Sequence, residues 1–179
     1  MTEQQLKLNL IARTFGTTLM KSGIGMIRSG YEDYEIINSS LRLANDALDK
    51  IGLKISVNAL DISYYYTTWE NWQTIIDVLY GIIKDFKWEA DKFDCDNRSN
   101  LMTSLCSLLF RINTCAGLYC KVLNLQTGIK YLHWANIIFT KDGKVYLFDV
   151  DNFGKYQQII SSDIIMGQNK YTPISIRIY

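Results

Sequence analysis

Apolar side chains recur at helical spacing between residues 34 and 51. The positions that share this face are Ile37, Leu41, Ala44, Leu48 and Ile51. Gly52 follows them, as is common directly after a helix end, and residues 53–60 then alternate apolar and polar side chains. The pattern therefore predicts a helix over 34–51 followed by a half-buried strand.

A second helical pattern follows the aromatic segment SYYYTTWENW. Thr67 with Glu70 three positions later is typical of a capping box at a helix start. The apolar positions behind it are Trp69, Trp72, Ile76, Leu79, Ile83 and Phe86. This spacing favours core packing over a stacking surface for sugars or bases.

Near the N-terminus, residues 4–14 predict another helix. Gly23, Gly25 and Gly30 come after it, but their spacing does not fit a dinucleotide-binding loop and no strand pattern precedes them. We therefore expect these glycines to serve turns or packing.

The pattern changes in the last third of the chain. A helix over 95–111 is followed by strand patterns at 116–124, 133–140, 144–150 and 174–179, and Asp142-Gly143 is a strong hairpin signal. Helices first and an antiparallel sheet afterwards are an α+β layout. We expect one domain over residues 1–179, with 1–87 mainly helical and 88–179 forming a cysteine-bearing helix packed on an antiparallel sheet.

Composition changes this picture mainly through what it excludes. Hydrophobic residues make up 48% of the chain and charged residues 21%, as in soluble globular proteins. The 19 basic and 18 acidic residues nearly balance, which argues against a general attraction to nucleic acid or to anionic membranes. The pattern contains no signal peptide or membrane span. We expect a cytoplasmic protein without nucleic-acid or membrane partners, and leave the oligomeric state open.

Four cysteines, Cys95, Cys106, Cys115 and Cys120, lie in one short stretch. In a reducing cytosol such residues are free thiols rather than a disulfide framework. A structural zinc site needs closely spaced ligand pairs, and Cys115 with Cys120 has no second pair to complement it. We therefore predict no structural zinc.

Cys95 stands where a reactive thiol would be expected. Asp94 is a good N-cap candidate, which puts Cys95 at or just inside a helix N-terminus. Unpaired backbone N–H groups and the helix dipole stabilise a thiolate at that position. The alternative is a partly buried, inert cysteine.

The only histidine of the chain, His133, opens the strand at 133–140. A strand packed against the cysteine helix would bring its ring near Cys95 as a general base. Asp149 interrupts the next, otherwise apolar strand, and the hairpin would bring it near His133 as the group that orients the imidazole. Asp151 is the alternative orienting acid, or else part of a turn over 151–154.

The segments DCDNR, HWAN and LFD resemble the papain-like, transglutaminase-like cysteine peptidase superfamily, and most closely its bacterial transglutaminase-like cysteine peptidases. The resemblance covers about residues 88–152. It implies a papain-like α+β fold, with Cys95 as nucleophile, His133 as base and Asp149 as orienting acid. Residues 1–87 match no known part of the family, so the resemblance does not identify a side chain that stabilises the oxyanion. The candidates for that role, or for lining the wall of the site, are Gln73, Trp88 and Trp134.

The resemblance also raises the question of a metal. Some relatives bind calcium beside the cysteine through acidic residues, and Asp94 and Asp96 match part of that pattern. Asn97 stands where further acidity would help. We therefore predict no cofactor, and keep calcium at Asp94 and Asp96 as the alternative.

Two functional hypotheses follow. In the first, the chain is a thiol hydrolase or acyl transferase that acts on peptide or isopeptide bonds of a protein or peptide substrate through a thioester. In the second, it is a non-catalytic module of the same fold that binds a protein or glycan. The aromatic residues that would form the contact surface in the second case are Tyr64, Tyr65, Tyr66, Trp69 and Trp134.

Overall fold

The computed structural model describes residues 35–61, 63–86, 89–90, 94–152 and 154–178. By its internal contacts the chain divides into residues 1–34 and residues 35–179. All the described residues belong to the second unit. The helix expected over 4–14 and the glycines Gly23, Gly25 and Gly30 lie outside the described residues, and the expectation of a single domain stays a prediction.

Three α-helices occur in the described ranges: α1 (Arg42–Lys50), α2 (Trp69–Ile83) and α3 (Cys95–Leu105), which continues into a π-helical turn at Cys106–Phe110. Ala44, Ala47 and Leu48 form the buried face of α1, because residues three and four apart share one side of a helix. Each helix in this part of the chain is too short or too polar to span a bilayer.

Nine strands occur in the same ranges. They are β1 (Ile37–Ser39), β2 (Ser56–Ala59), β3 (Tyr64–Tyr66), β4 (Cys115–Asn124), β5 (Lys130–Phe139), β6 (Val145–Asp149), β7 (Lys155–Ile159), β8 (Ile164–Met166) and β9 (Asn169–Ile178). β1 and β3 form a small antiparallel sheet. The large sheet has the order β2-β9-β4-β5-β6-β7, and β8 pairs with β9.

The two faces of the large sheet pack against different helices. Ala135 and Ile137 of β5 lie in the hydrophobic core that includes the buried residues of α1. Asn136, between them, points to the other face, where its Nδ2 donates to the backbone oxygen of Ser99 at 3.1 Å. The Ser99 hydroxyl donates in turn to the Ala135 backbone oxygen at 2.9 Å, which fixes α3 against β5.

The central strands agree with the sequence pattern. The expected strands at 116–124, 133–140 and 144–150 correspond to β4, β5 and β6, and 174–179 falls at the end of β9. The hairpin between β5 and β6 is also confirmed. Gly143 has φ of +73°, which favours glycine, and its N–H donates to the Thr140 oxygen at 3.0 Å.

The helix expected over 34–51 is correct only from Arg42 onwards. Ile37–Ser39 instead pairs as a strand with Tyr64–Tyr66, because the hydrogen bonds of that long-range pairing replace those of a first helical turn. The helix end is confirmed: Gly52 has φ of +73° and its N–H donates to the Asp49 oxygen at 3.0 Å.

The start of α2 lies one residue later than the capping box at Thr67 predicts. Thr68 is the N-cap, and its Oγ1 accepts a hydrogen bond from the Asn71 N–H at 3.2 Å. Thr67 is buried and its hydroxyl donates to the Glu35 backbone oxygen at 2.8 Å. A tertiary contact therefore occupies the side chain that the local pattern assigned to the cap.

The expected α+β fold, with N-terminal helices preceding an antiparallel sheet, is wrong. Strands predominate in the described residues, and β1, β2 and β3 lie in the region expected to be mainly helical. β2 also joins the large sheet parallel to β9, rather than antiparallel. The half-buried strand expected over residues 53–60 is confirmed, since β2 lies within it. β1 and β3 were not expected, because three residues hold too few alternations for a periodicity argument.

Candidate functional site

The start of α3 places Cys95 at the edge of a cleft. Asp94 is the N-cap, as expected, and its backbone N–H donates to Oδ1 of Asn97 at 3.4 Å. Cys95 is half-buried, while Cys106, Cys115 and Cys120 are buried. All four cysteines are free thiols in this structure, as the sequence analysis expected.

His133 and Asp149 meet across the β5–β6 pair. The β5–β6 register pairs Asn136 with Phe148, so the next residue, Asp149, lies at the level of Ala135. Ala135 and His133 are two residues apart on β5 and therefore share one face of the sheet. Diagonal neighbours such as His133 and Asp149 lie within reach of each other in an antiparallel sheet. Nε2 of His133 lies 3.1 Å from both carboxylate oxygens of Asp149.

The carboxylate of Asp149 is buried and fully hydrogen-bonded. Only 3% of the residue is exposed. Besides His133, it accepts the Tyr171 hydroxyl at 2.7 Å and the Asp151 backbone N–H at 3.0 Å. These donors supply the partners that a buried carboxylate needs, and they hold it in one orientation.

The charges of this group favour an imidazolium–carboxylate pair. Burial by itself lowers the pKa of His133. The hydrogen bonds of the ring with Asp149 and with Cys95, together with the charges of these two groups, outweigh burial and raise the pKa to about 10. Burial raises the pKa of Asp149, yet the hydrogen bond and charge of His133, with Tyr171 and the Asp151 amide, leave it below its usual value. The expected proximity of Cys95, His133 and Asp149 is therefore present.

We expect the ring protons of His133 to titrate near pH 10 in the folded protein. The chain has one histidine, so a single set of imidazole signals can be followed by proton NMR from pH 5 to 11. The folded pKa lies above the ordinary value of about 6.5. The stability linked to it is therefore fully present below pH 6.5 and is lost as the pH rises through 10. The urea-unfolded chain is the control, and a folded midpoint near 6.5 would contradict this assignment.

Asp151, the alternative orienting acid, has a different partner. Its carboxylate forms an ion pair with the guanidinium of Arg98, whose side chain is 11% exposed. Arg98 also donates from Nη2 to the Ile83 backbone oxygen at 3.4 Å. Asp149, and not Asp151, is thus the carboxylate bonded to His133.

Two clusters of side chains contain atoms that could bind a metal ion: His133 with Asp149 and Asp151, and Asp94 with Asp96. Side-chain ligand atoms of His133, Asp149 and Asp151 all lie within 4.8 Å of one another. Each already has a protein partner in the imidazolium–carboxylate pair or in the ion pair with Arg98. The pKa of Asp96 is raised by a hydrogen bond with Asp94 and then by burial, so these two carboxyl groups contact each other. The absence of a cofactor stays a prediction, and calcium at Asp94 and Asp96 stays its alternative.

The remaining candidate positions are Gln73, Trp134 and Trp88. Gln73 Nε2 donates to the Tyr156 hydroxyl at 3.2 Å. The ring of Trp134 lies 5.1 Å from that of Tyr119. Neither Gln73 nor Trp134 lines the cleft at Cys95. Trp88 lies outside the described residues.

The cleft itself has a volume of about 440 Å³. The residues that line it are Cys95, Arg98, Tyr131, Leu132, His133, Asp149, Asp151, Asn152 and Asn169. Arg98, Tyr131, Asn152 and Asn169 are lining residues that the sequence pattern did not indicate. Arg98 and Asn152 stand close to predicted site residues in the chain, which was an available signal, whereas Asn169 reaches the cleft only through the pairing of β9 with β4.

The aromatic residues expected to form the contact surface of a binding module differ in exposure: Tyr65 is 38% exposed, whereas Trp69 and Trp134 are half-buried. Tyr64 and Tyr66 are 1% and 0% exposed, since β3 packs into the core. The ring of Trp69 stacks on that of Tyr146 with centroids 3.5 Å apart. The exposed ring beside the cleft is instead that of Tyr131, which is 42% exposed.

Comparisons with known proteins give a likeness of fold. No protein-family model and no curated protein matches the chain. Among solved structures, it is similar to PSL1a in complex with E64, with a TM-score of 0.52 and 14% identity over 78% of this chain. It is also similar to the lectin of Polyporus squamosus bound to the epitope Neu5Aca2-6Galb1-4GlcNAc, with a TM-score of 0.54 and 12% identity over 78% of this chain.

The chain spans about half the length of these neighbours, 51% and 49%. The likeness to a lectin overturns two expectations: the papain-like fold and the function as a thiol protease, peptide-bond hydrolase or acyl transferase. The alternative of a module that binds a partner fits better. No finding tests the roles expected of Cys95, His133 and Asp149 as nucleophile, base and orienting acid, and these roles stay predictions.

Proposed function

We propose that this chain is a carbohydrate-binding module that holds a sugar in the cleft at Cys95. The observation that carries the proposal is the combination of partly exposed polar groups with one exposed aromatic ring in a single cleft. The lectin with a similar fold supports it, since that protein is bound to an oligosaccharide.

The polar groups match the chemistry of sugar hydroxyls. A hydroxyl donates one hydrogen bond and accepts two, so it is best bound by a site that offers both donors and acceptors. Asn152 and Asn169 offer amide groups, and Asp151 offers a carboxylate whose Oδ1 is fixed by Arg98. Groups fixed by the protein lose less conformational entropy when a ligand binds.

The apolar part of the cleft suits the other side of a sugar ring. Tyr131 and Leu132 are 42% and 56% exposed beside these polar groups. The C–H face of a pyranose packs on such surfaces, and Tyr also offers a hydroxyl at its rim. His133 and Asp149 line the same cleft, and the hydrogen bond between them holds both side chains in place.

We expect Tyr131→Ala and Asn152→Ala each to weaken glycan binding about tenfold, because each removes a contact of about 1–1.5 kcal/mol. Ligands would first be identified with the full chain on an array of neutral and acidic glycans, and affinities then measured by calorimetry. Tyr156→Ala and Asn58→Ala are matched controls, since both positions are exposed outside the cleft.

The proposal fails if no glycan on the array binds the folded chain. It also fails if the cleft variants bind a glycan as tightly as the two control variants do, because binding would then occur elsewhere on the surface.

A further inference from the structure

A second groove, of about 610 Å³, continues from the cleft along the sheet. Tyr131 and Leu132 line both, so the two are contiguous. The second groove also contains Lys121, Lys130 and Lys170, and we call it the lysine groove. No acidic residue lines it.

Strand register explains why three lysines meet there. Leu123 of β4 pairs with Lys130 of β5 on one side and with Lys170 of β9 on the other. Paired Cβ atoms in an antiparallel sheet are about 4.5–5.5 Å apart, so the two lysines flank Leu123. Lys121 lies two residues from Leu123 and therefore points to the same face.

The lysine groove also has an apolar floor. Lys121 pairs with Leu132 across β4 and β5, so Leu132 and Leu123 share the face that bears the lysines. Leu132 is 56% exposed, and it stands at the junction with the cleft. A ligand that lies along this floor places its charged groups among ammonium groups.

The positive charge of the groove is only partly compensated. Lys170 Nζ forms an ion pair with Asp163 at 2.6 Å. Among the described residues, no carboxylate forms an ion pair with Lys121 or Lys130. Two ammonium groups are thus available for an anionic ligand.

We infer that the glycan held in the cleft carries a carboxylate-bearing sugar, which occupies the lysine groove. This inference rests on the proposed function and names its ligand class. The carboxylate accepts charge-assisted hydrogen bonds from Lys121 and Lys130, while the C–H face of the sugar packs on Leu132. Because the two surfaces are contiguous, adjacent sugars of one oligosaccharide occupy both.

The test compares acidic hexasaccharides with uncharged counterparts. The probes are hexasaccharides of hyaluronan and of polygalacturonate, each in native and carboxyl-reduced form, titrated into the full chain by calorimetry at pH 7. We expect at least one native probe to bind about fivefold more tightly than its reduced form, and expect this preference to shrink between 50 and 200 mM salt.

The double variant Lys121→Gln/Lys130→Gln is expected to bind native and reduced forms equally. Lys50→Gln/Lys54→Gln is the matched control, since both lysines are exposed and outside the two grooves. It should keep the preference of the unchanged chain. A hexaglutamate peptide tests the other class of acidic ligand.

Equal binding of native and reduced probes would overturn the inference, and so would a preference that survives in Lys121→Gln/Lys130→Gln. If hexaglutamate binds as tightly as the acidic glycans, the groove belongs to acidic peptides and the inference is again wrong. In each of these cases a neutral glycan bound at Tyr131 and Asn152 would leave the proposed function standing. Failure of every glycan on the array to bind would instead overturn the proposed function itself.

Discussion

Replacement of Asp149 by alanine is expected to lower the free energy of unfolding by about 3–5 kcal/mol. The carboxylate accepts hydrogen bonds from His133, from the Tyr171 hydroxyl and from the Asp151 amide, and it is 3% exposed. Alanine leaves these three donors without an acceptor in a place with little access to water. It also leaves the charge of the buried His133 uncompensated, which is the costlier part of the loss.

Urea denaturation at pH 7 followed by circular dichroism measures this effect. Asp163→Ala is the control, because that carboxylate also forms an ion pair but its side chain is 71% exposed, and the loss there should stay below about 1 kcal/mol. Asp149→Asn keeps one acceptor oxygen and should fall between the two. A loss for Asp149→Ala no larger than that for Asp163→Ala would show that the network contributes little to stability.

Iodoacetamide at pH 7 is expected to modify Cys95 at least about 100-fold faster than the other three cysteines. Cys95 is half-buried at the cleft, whereas Cys106, Cys115 and Cys120 are each 0% exposed. Burial also raises the pKa of the Cys106 and Cys120 thiols, so the reactive thiolate is scarcer there. Reaction at a buried thiol further requires local opening, which costs several kcal/mol.

Peptide mass spectrometry after timed quenching gives the four rates separately. The urea-unfolded chain should react at all four sites at similar rates, and Cys95→Ser should remove the fast site. Equal rates in the folded chain would show that the cleft does not admit the reagent. A glycan bound in the cleft should slow modification of Cys95, so the same measurement reports occupancy of the proposed site.

The site shows how far local patterns carry. Asp94 marks a helix start by its type and position, and Asp142-Gly143 joins two neighbouring strands, so the sequence could place Cys95 at a helix start and His133 near Asp149. The reason is that helix caps and hairpins are formed by residues close together in the chain. The packing of α3 on β5 then brings Cys95 to the other two side chains. The proximity of Cys95, His133 and Asp149 did not by itself determine the function of the site.

Other features depend on contacts between distant residues. Ile37–Ser39 forms a strand only because Tyr64–Tyr66 lies beside it, and β2 joins the sheet parallel to β9, more than a hundred residues later in the chain. Tyr171 reaches Asp149 through the same sheet. A periodicity argument has no access to such pairings, because the strands involved are short or their partners are remote.

By itself, the sequence determined the central strands β4, β5 and β6, the start of α3 and the proximity of His133 to Asp149, since each follows from turn, cap or alternation rules that act locally. Only the tertiary structure decided that strands outweigh helices, that Arg98 is the partner of Asp151, and that Lys121, Lys130 and Lys170 meet on one face. These outcomes depend on the register between strands far apart in the chain, which is set by the packing of the whole sheet rather than by any one segment.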